Sequence, residues 1–208
     1  MLLRRRTSRI STSPIDPSKG FEHLDQEALA LLRWLKDNRV EFVLVGAVAE
    51  SLRGRTDAVG PVAIVPAPYR RNLARLADAL TDAGAGVRVD GARGSADTTP
   101  IKFTAEKLGD AQRWALRSGT HDIDIERSGR PGQKTAVRAP VYQELLYEAG
   151  RFEPGPELSV EVAAPEDIEH FAHLRKTGRA PEMRISRQAN PDQEQEQDAT
   201  QEQEQDAG

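Results

Sequence analysis

Cysteine is absent from this 208-residue chain, which excludes disulfides and thiolate metal ligands. Aromatic residues make up only 5%, and they form no cluster with the basic residues that would suggest a stacking surface for single-stranded nucleic acid. Trp34 and Trp114 read instead as core or boundary packing. Long apolar runs are missing too: none approaches the ~18–20 residues needed to span a bilayer. The N-terminal arginines are not followed by the apolar stretch of a secretory signal. Together these absences point to a soluble, cytoplasmic protein with no membrane partner.

Charge is present in quantity but unevenly placed. Residues 188–208 form a tail of Gln, Glu, Asp, Ala and Thr, and from Ala189 onward it carries seven of the 33 acids and no Lys or Arg. With no apolar side chain larger than Ala apart from Pro191, it cannot offset the entropy of ordering itself, so disorder is expected. The rest of the chain then holds 26 acids against 29 bases and is mildly basic. Residues 1–23 carry Arg4, Arg5, Arg6 and Arg9 among Ser, Thr and Pro without apolar periodicity. They are expected to form a solvated basic arm, with contact to nucleic acid phosphates as the functional possibility.

Between these ends the patterns alternate. "LDQEALALLRWLKDN" places Leu24, Ala28, Leu31, Leu32 and Leu35 at helical spacing. "EFVLVG" is a strand covered on both faces, Gly46 turns the chain, and "AVAESLRG" supplies two helical turns. "PVAIV" is a second short strand opened by Pro61. "PYRRNLARLADALTDAGA" is a helix with a stripe of Leu73, Leu76, Ala77 and Leu80, stopped by Gly84. "GVRV" is a candidate strand, residues 90–100 read as a loop, and "IKFTAEKLGDA" is ambiguous. "RWALRS" and "HDIDIER" alternate around "SGT" as a hairpin, and "SGRPGQKTAVR" reads as another loop. A helix near "PVYQELLYEA", a strand "LSVEVA" and a helix "APEDIEHFAHLRKTGR" complete the chain. The expected class is α/β (α+β), a mixed central sheet flanked by helices in one domain over residues 24–187.

This order of elements, with the turn "GAVAES", the loop "RGRT", the hairpin "DIDI" and the ending "EDIEHFAHLRKTGRAPEM", resembles the nucleotidyltransferase superfamily. Within it the chain is most similar to the minimal bacterial branch that includes AbiEii-type toxins of abortive-infection and toxin–antitoxin systems. The resemblance implies a nucleotidyltransferase-like sheet, a nucleoside triphosphate as substrate or ligand, and Mg²⁺ as cofactor if the protein is active. It also implies a nucleotide, a cognate antitoxin-like protein or RNA as partners. By position, Gly46, Ala47, Ser51, Arg55 and Lys176 fall where the family binds nucleotide, Arg53, Gly54 and Thr56 match the loop leading to its metal strand, and Lys176 with Arg179 either reaches a phosphate or caps the carbonyl end of its helix.

The family holds its cations with two aspartates at i and i+2 on the second strand, so that both carboxylates face one site. Pro61 and Ala63 stand at those positions here. The third family carboxylate matches Asp124, the candidate catalytic residue, and Asp122 beside it could make a relocated metal pair with it. The plainer account of Asp122 and Asp124 is the exposed face of a hairpin strand, with Ile123 and Ile125 turned to the core. Glu50 on the short helix and Asp57 on the loop are not spaced to replace the missing pair. Two readings follow: a degenerate pseudoenzyme that keeps nucleotide or partner binding, or an active enzyme transferring a nucleotidyl group to a protein or RNA hydroxyl through Asp122 and Asp124. His121 in the turn could be a ligand or base but reads more simply as polar surface, and His170 with His173 at i and i+3 could bind a metal but have no evident third ligand.

Overall fold

The computed structural model describes residues 9–11, 13–88, 98–111, 113–130 and 139–178. The acidic tail, Arg4 to Arg6, and Arg179 lie outside the described residues.

Helix α1 (Gln26–Asp37) begins where the Asp25 side chain accepts a hydrogen bond from the Glu27 N–H, and it buries Leu29, Leu31, Leu32, Trp34 and Leu35. Strand β1 (Phe42–Val45) follows and is buried along its whole length. Gly46 then starts α2 (Gly46–Leu52) directly, and β2 (Val62–Pro66) returns through the middle of the sheet. Helix α3 (Arg70–Asp82) buries Leu73, Leu76, Ala77 and Leu80 together with Asn72. Pro68 precedes its cap, Tyr69, rather than sitting inside the first turn.

The second half builds the rest of the sheet. Strands β3 (Gly86–Arg88) and β4 (Thr98–Pro100) pair with each other, so the end of the segment read as a loop is an edge strand. The ambiguous stretch resolves into a short helix, α4 (Ala105–Asp110), capped by Thr104. The hairpin is β5 (Arg113–Ser118) and β6 (His121–Glu126). Then come α5 (Tyr142–Glu148), β7 (Gly150–Gly155), β8 (Leu158–Val162) and α6 (Pro165–Thr177). Strand β7 had no signal in the sequence: "GRFEPG" carries two glycines and a proline, residues depleted in strands.

The eight strands among the described residues form one mixed sheet in the order β4-β3-β5-β6-β2-β1-β8-β7. Strands β2 and β6 run parallel, as do β1 and β8, and the remaining pairs are antiparallel. Helices flank the sheet, with α1 against β2, β6 and β8, and α2 against β2 and α6. The chain thus has the α/β class expected of it, and the parallel β2–β6 pair lies at the centre. No helix among the described residues is long and apolar enough to cross a membrane.

The N-terminal arm ends earlier than its composition suggests. Ile15 is buried in the core, and its backbone exchanges two hydrogen bonds with the Gln26 side-chain amide, at 2.9 and 3.0 Å. The Ser18 N–H donates to the Pro154 carbonyl on β7, and Phe21 meets Phe152 edge-on at 6.4 Å. Ile10, Ile15 and Phe21, apolar side chains without periodicity, pack on the core here.

Candidate functional site

The chemistry-bearing side chains gather on one face of β2, β6, β5 and β3, because side chains two apart on a strand share a face. Asp122, Asp124 and Glu126 follow one another at that spacing on β6. The hairpin register sets Arg117 opposite Asp122, Ala115 opposite Asp124 and Arg113 opposite Glu126. On the other side of β6, Ala63 of β2 is the partner of Asp124. Arg88 reaches the same acids from β3.

The result is a lattice of carboxylates and guanidiniums. Arg117 grips Asp122 with two donors, Nε to Oδ1 at 2.6 Å and Nη2 to Oδ2 at 2.9 Å. Arg88 bridges the two aspartates, Nη1 to Asp122 Oδ2 at 2.8 Å and Nη2 to Asp124 Oδ1 at 3.0 Å. Arg113 donates to the remaining Asp124 oxygen, Oδ2. Such paired, charge-assisted bonds are the strong kind. The hydrogen bonds from Arg117, with the charges of Arg88 and Arg117 beside it, hold the Asp122 carboxyl below its ordinary range.

Asp124 is wholly buried and Asp122 only partly exposed, so these residues are not the open face of a hairpin strand. Ile123 and Ile125 do turn into the core. The two aspartates share a face as their spacing required, but guanidiniums hold both oxygens of each.

Glu126 ends the row. Its Oε1 lies 3.5 Å from Arg113 Nε and 3.5 Å from Arg175 Nε. Burial pushes its pKa up, with the charges of Arg175 and Arg113 acting against that rise and Asp124 adding to it.

Arg175, on the last turn of α6, is where the sequence and the structure part most clearly. Its guanidinium lies beside Gly46: a Cβ built on that glycine would stand 3.2 Å from Arg175 Nη2 and 3.0 Å from the Ala63 Cβ. Gly46 also has φ of +71°, in the left-handed region that a side chain disfavours. The alanine of β2 and the arginine of α6 both crowd the turn, and a residue larger than glycine at 46 would have to displace one of them. Lys176, the cation that the resemblance assigned to nucleotide, is exposed on α6, and its neighbour Arg175 is the one that reaches the site.

The other assigned positions serve the turn itself. Ser51 is buried, with its Oγ at 3.3 Å from the Arg55 carbonyl and 3.2 Å from that of Ala58, so it ties down the following loop. Arg55 is largely exposed between Glu50 at 3.4 Å and Asp57 at 3.6 Å, which accounts for both acids. Ala47 packs on Gly60, where an added Cβ would lie 3.0 Å from its own. Arg53 donates to the carbonyls of Ala163 and Val162 and covers the Phe152 ring at 5.4 Å.

The histidines divide. His121 is buried beside a cavity of about 280 Å³ shared with Asp25 and Asp122, so it is not a surface turn residue. His170 is buried against Phe171 while His173 is exposed, and the pair share no common environment. Trp34 is core, and Trp114 packs edge-on against Phe103 at 6.1 Å.

A two-cation centre does not fit these residues. A cation would have to take oxygens from Asp122 or Asp124 that Arg88, Arg113 and Arg117 already hold, next to a strand position occupied by Ala63. Magnesium sites use carboxylates backed by phosphates and water, and here both aspartates already have guanidiniums on both oxygens. The arrangement instead supplies fixed positive charge at the end of the row of acids, through Arg113 and Arg175.

In comparisons with known proteins, no protein-family model matches the chain and no curated protein matches it in sequence.

Proposed function

We propose that this protein is a catalytically degenerate member of the nucleotidyltransferase fold, one that has exchanged metal-binding acids for arginine cross-links and retains nucleotide or partner binding. The observation that carries the reading is Asp124. It is the one acid at a family position, it stands beside Ala63 where a second carboxylate would be needed, and Arg88 and Arg113 occupy both of its oxygens. Phosphoryl transfer depends on cations that neutralise the triphosphate and aim the attacking hydroxyl. Four guanidiniums can offset negative charge here, but they do not prepare a nucleophile. The Gly46 turn supports the same reading from the other side, since a conformation only glycine tolerates well is kept while its neighbour at 63 is apolar.

The test is a transfer assay with the full chain, radiolabelled nucleoside triphosphates, Mg²⁺ or Mn²⁺, and candidate protein and RNA acceptors. It is run beside thermal unfolding with each triphosphate, with and without metal. The expected outcome is no transfer, and any stabilisation by nucleotide independent of metal; a ligand at 100 times its Kd adds about 2.7 kcal/mol, enough to be read as a shift in midpoint. Metal-dependent transfer that disappears in Asp124→Asn, in a variant still folded, would overturn the proposal in favour of an active enzyme using Asp122 and Asp124.

A further inference from the structure

Beneath α1, at the starts of β2 and β6, lies a cavity of about 280 Å³ with His121 in its wall. Successive residues of a strand face opposite ways, so His121 shares the face of Ile123 and Ile125, across the sheet from the arginine lattice. His121 is only 8% exposed, yet its imidazole makes no hydrogen bond or ion pair with any described residue. Neither ring nitrogen is sealed from solvent, and the cavity is the space the side chain borders. A neutral imidazole carries a lone pair on one nitrogen, so it offers an acceptor to whatever enters.

The rest of the wall decides what an occupant must be. Asp25, the cap of α1, and Glu27 in its first turn border the cavity, and no Lys or Arg does so among the described residues. Asp25 Oδ1 accepts from the Glu27 N–H at 3.2 Å, and its second oxygen has no partner among the described residues. The positive end of a helix amounts to about half a charge, which these two acids outweigh. Asp122 borders the cavity as well, but Arg88 and Arg117 hold its carboxylate. Ala28, Leu31, Pro61 and Val62 supply the apolar part of the wall. The volume falls just below that of sites for drug-sized molecules, so the occupant is small.

We propose that this cavity binds an ammonium group on a short aliphatic stem, with the stem against Ala28, Leu31, Pro61 and Val62 and the ammonium donating to His121 and the Asp25 carboxylate. A bare metal ion would leave the apolar wall unused, and an anion would meet Asp25 and Glu27. The ammonium belongs either to a free aliphatic amine or to a lysine side chain whose backbone stays at the mouth. The assignment does not rest on the nucleotide reading.

The experiment titrates isotope-labelled full chain with n-butylamine, putrescine and Nα-acetyl-lysine N-methylamide, with n-butanol, butyrate and Mg²⁺ or Zn²⁺ salts as controls. At concentrations up to about 20 mM, an amine is expected to shift the backbone amides of Ala28, Gly60, Val62, Thr120 and His121, while butanol and butyrate leave them in place. His121→Leu should weaken the amine about tenfold or more through loss of an acceptor to a charged donor, and His121→Gln should recover part of the loss. Asp25→Asn keeps a good helix cap and should weaken the amine by up to about fivefold. Binding of the free amines would assign the site to a small molecule, and binding of the lysine analogue alone to a protein side chain. No shift with any amine, shifts confined to other regions, equal binding of butanol or butyrate, shifts caused by a metal ion alone, or affinities insensitive to both positions would overturn the assignment. Should His121→Leu fail to fold, the shift map and Asp25→Asn decide.

Discussion

Asp124 has no exposed surface and two arginine partners, so its replacement removes an anion from between cations that cannot rehydrate fully. Asp124→Ala should lower stability by about 3–5 kcal/mol, read from the urea midpoint; an unchanged midpoint would mean that the arginine lattice contributes nothing to the fold. Asp122 offers a second test, in pH. Its carboxyl is held below the ordinary range in the folded protein, so the folded state binds fewer protons than the unfolded one. Its stabilising contribution is therefore complete above the unfolded value and lost as pH falls through the folded one, below about pH 4. The stability difference between the native chain and Asp122→Asn should shrink over that range in acid denaturation, and a constant difference would contradict the pairing. Part of this lattice was legible beforehand. A two-residue turn at Gly119 and Thr120 sets Arg117 against Asp122 and Arg113 against Glu126 by counting alone, because register in a hairpin follows from loop length. Arg175 had no such signal, since the basic last turn of α6 is equally well explained by the helix dipole.

Among the elements, the junctions carry the most specific chemistry. The β1–α2 junction depends on Gly46: Gly46→Ala should cost about 1–2 kcal/mol from the left-handed conformation alone, and more because the added methyl meets Ala63 and Arg175. A thermal midpoint equal to that of the native chain would show that this turn relaxes freely. Helix α3 is fastened by one buried amide. Asn72 accepts from the Glu41 N–H at 2.8 Å and donates to the carbonyls of Glu41 and Ala67 at 2.8 and 3.1 Å, joining the helix to the start of β1 and the end of β2. Asn72→Ala should cost about 2–4 kcal/mol by stranding these backbone groups, measured by chemical denaturation. The helical periodicity of α3 was plain in its leucines, but the meaning of its asparagine was not, because a polar residue on an apolar stripe reveals its partners only once the strands are in place.

For the whole molecule, the sheet edge and the N-terminal segment belong together. Strand β7 is at one edge of the sheet, and residues 13–24 lie along it through Ser18, Phe21 and Ile15. Covering an edge in this way protects it from pairing with other chains. Removal of residues 2–20 should lower the unfolding midpoint by about 5 °C or more, since a buried isoleucine alone stabilises by about 1.5–3 kcal/mol; an unchanged midpoint in calorimetry would show the segment to be dispensable. The sequence by itself determined the elements with strong periodicity, α1, α3, β1, β2 and the hairpin, and with them the α/β class, because burial of an apolar stripe or a fully apolar run leaves few other ways to fold. It also determined that no second carboxylate stands near Asp124 on β2, since Pro61 and Ala63 are read directly from the chain. Only the tertiary structure decided what surrounds Asp124. The neutralising arginines come from β3, β5 and α6, separated in sequence by up to 87 residues from Arg88 to Arg175, and charges so distant along the chain meet only through the strand order that brings them to one face.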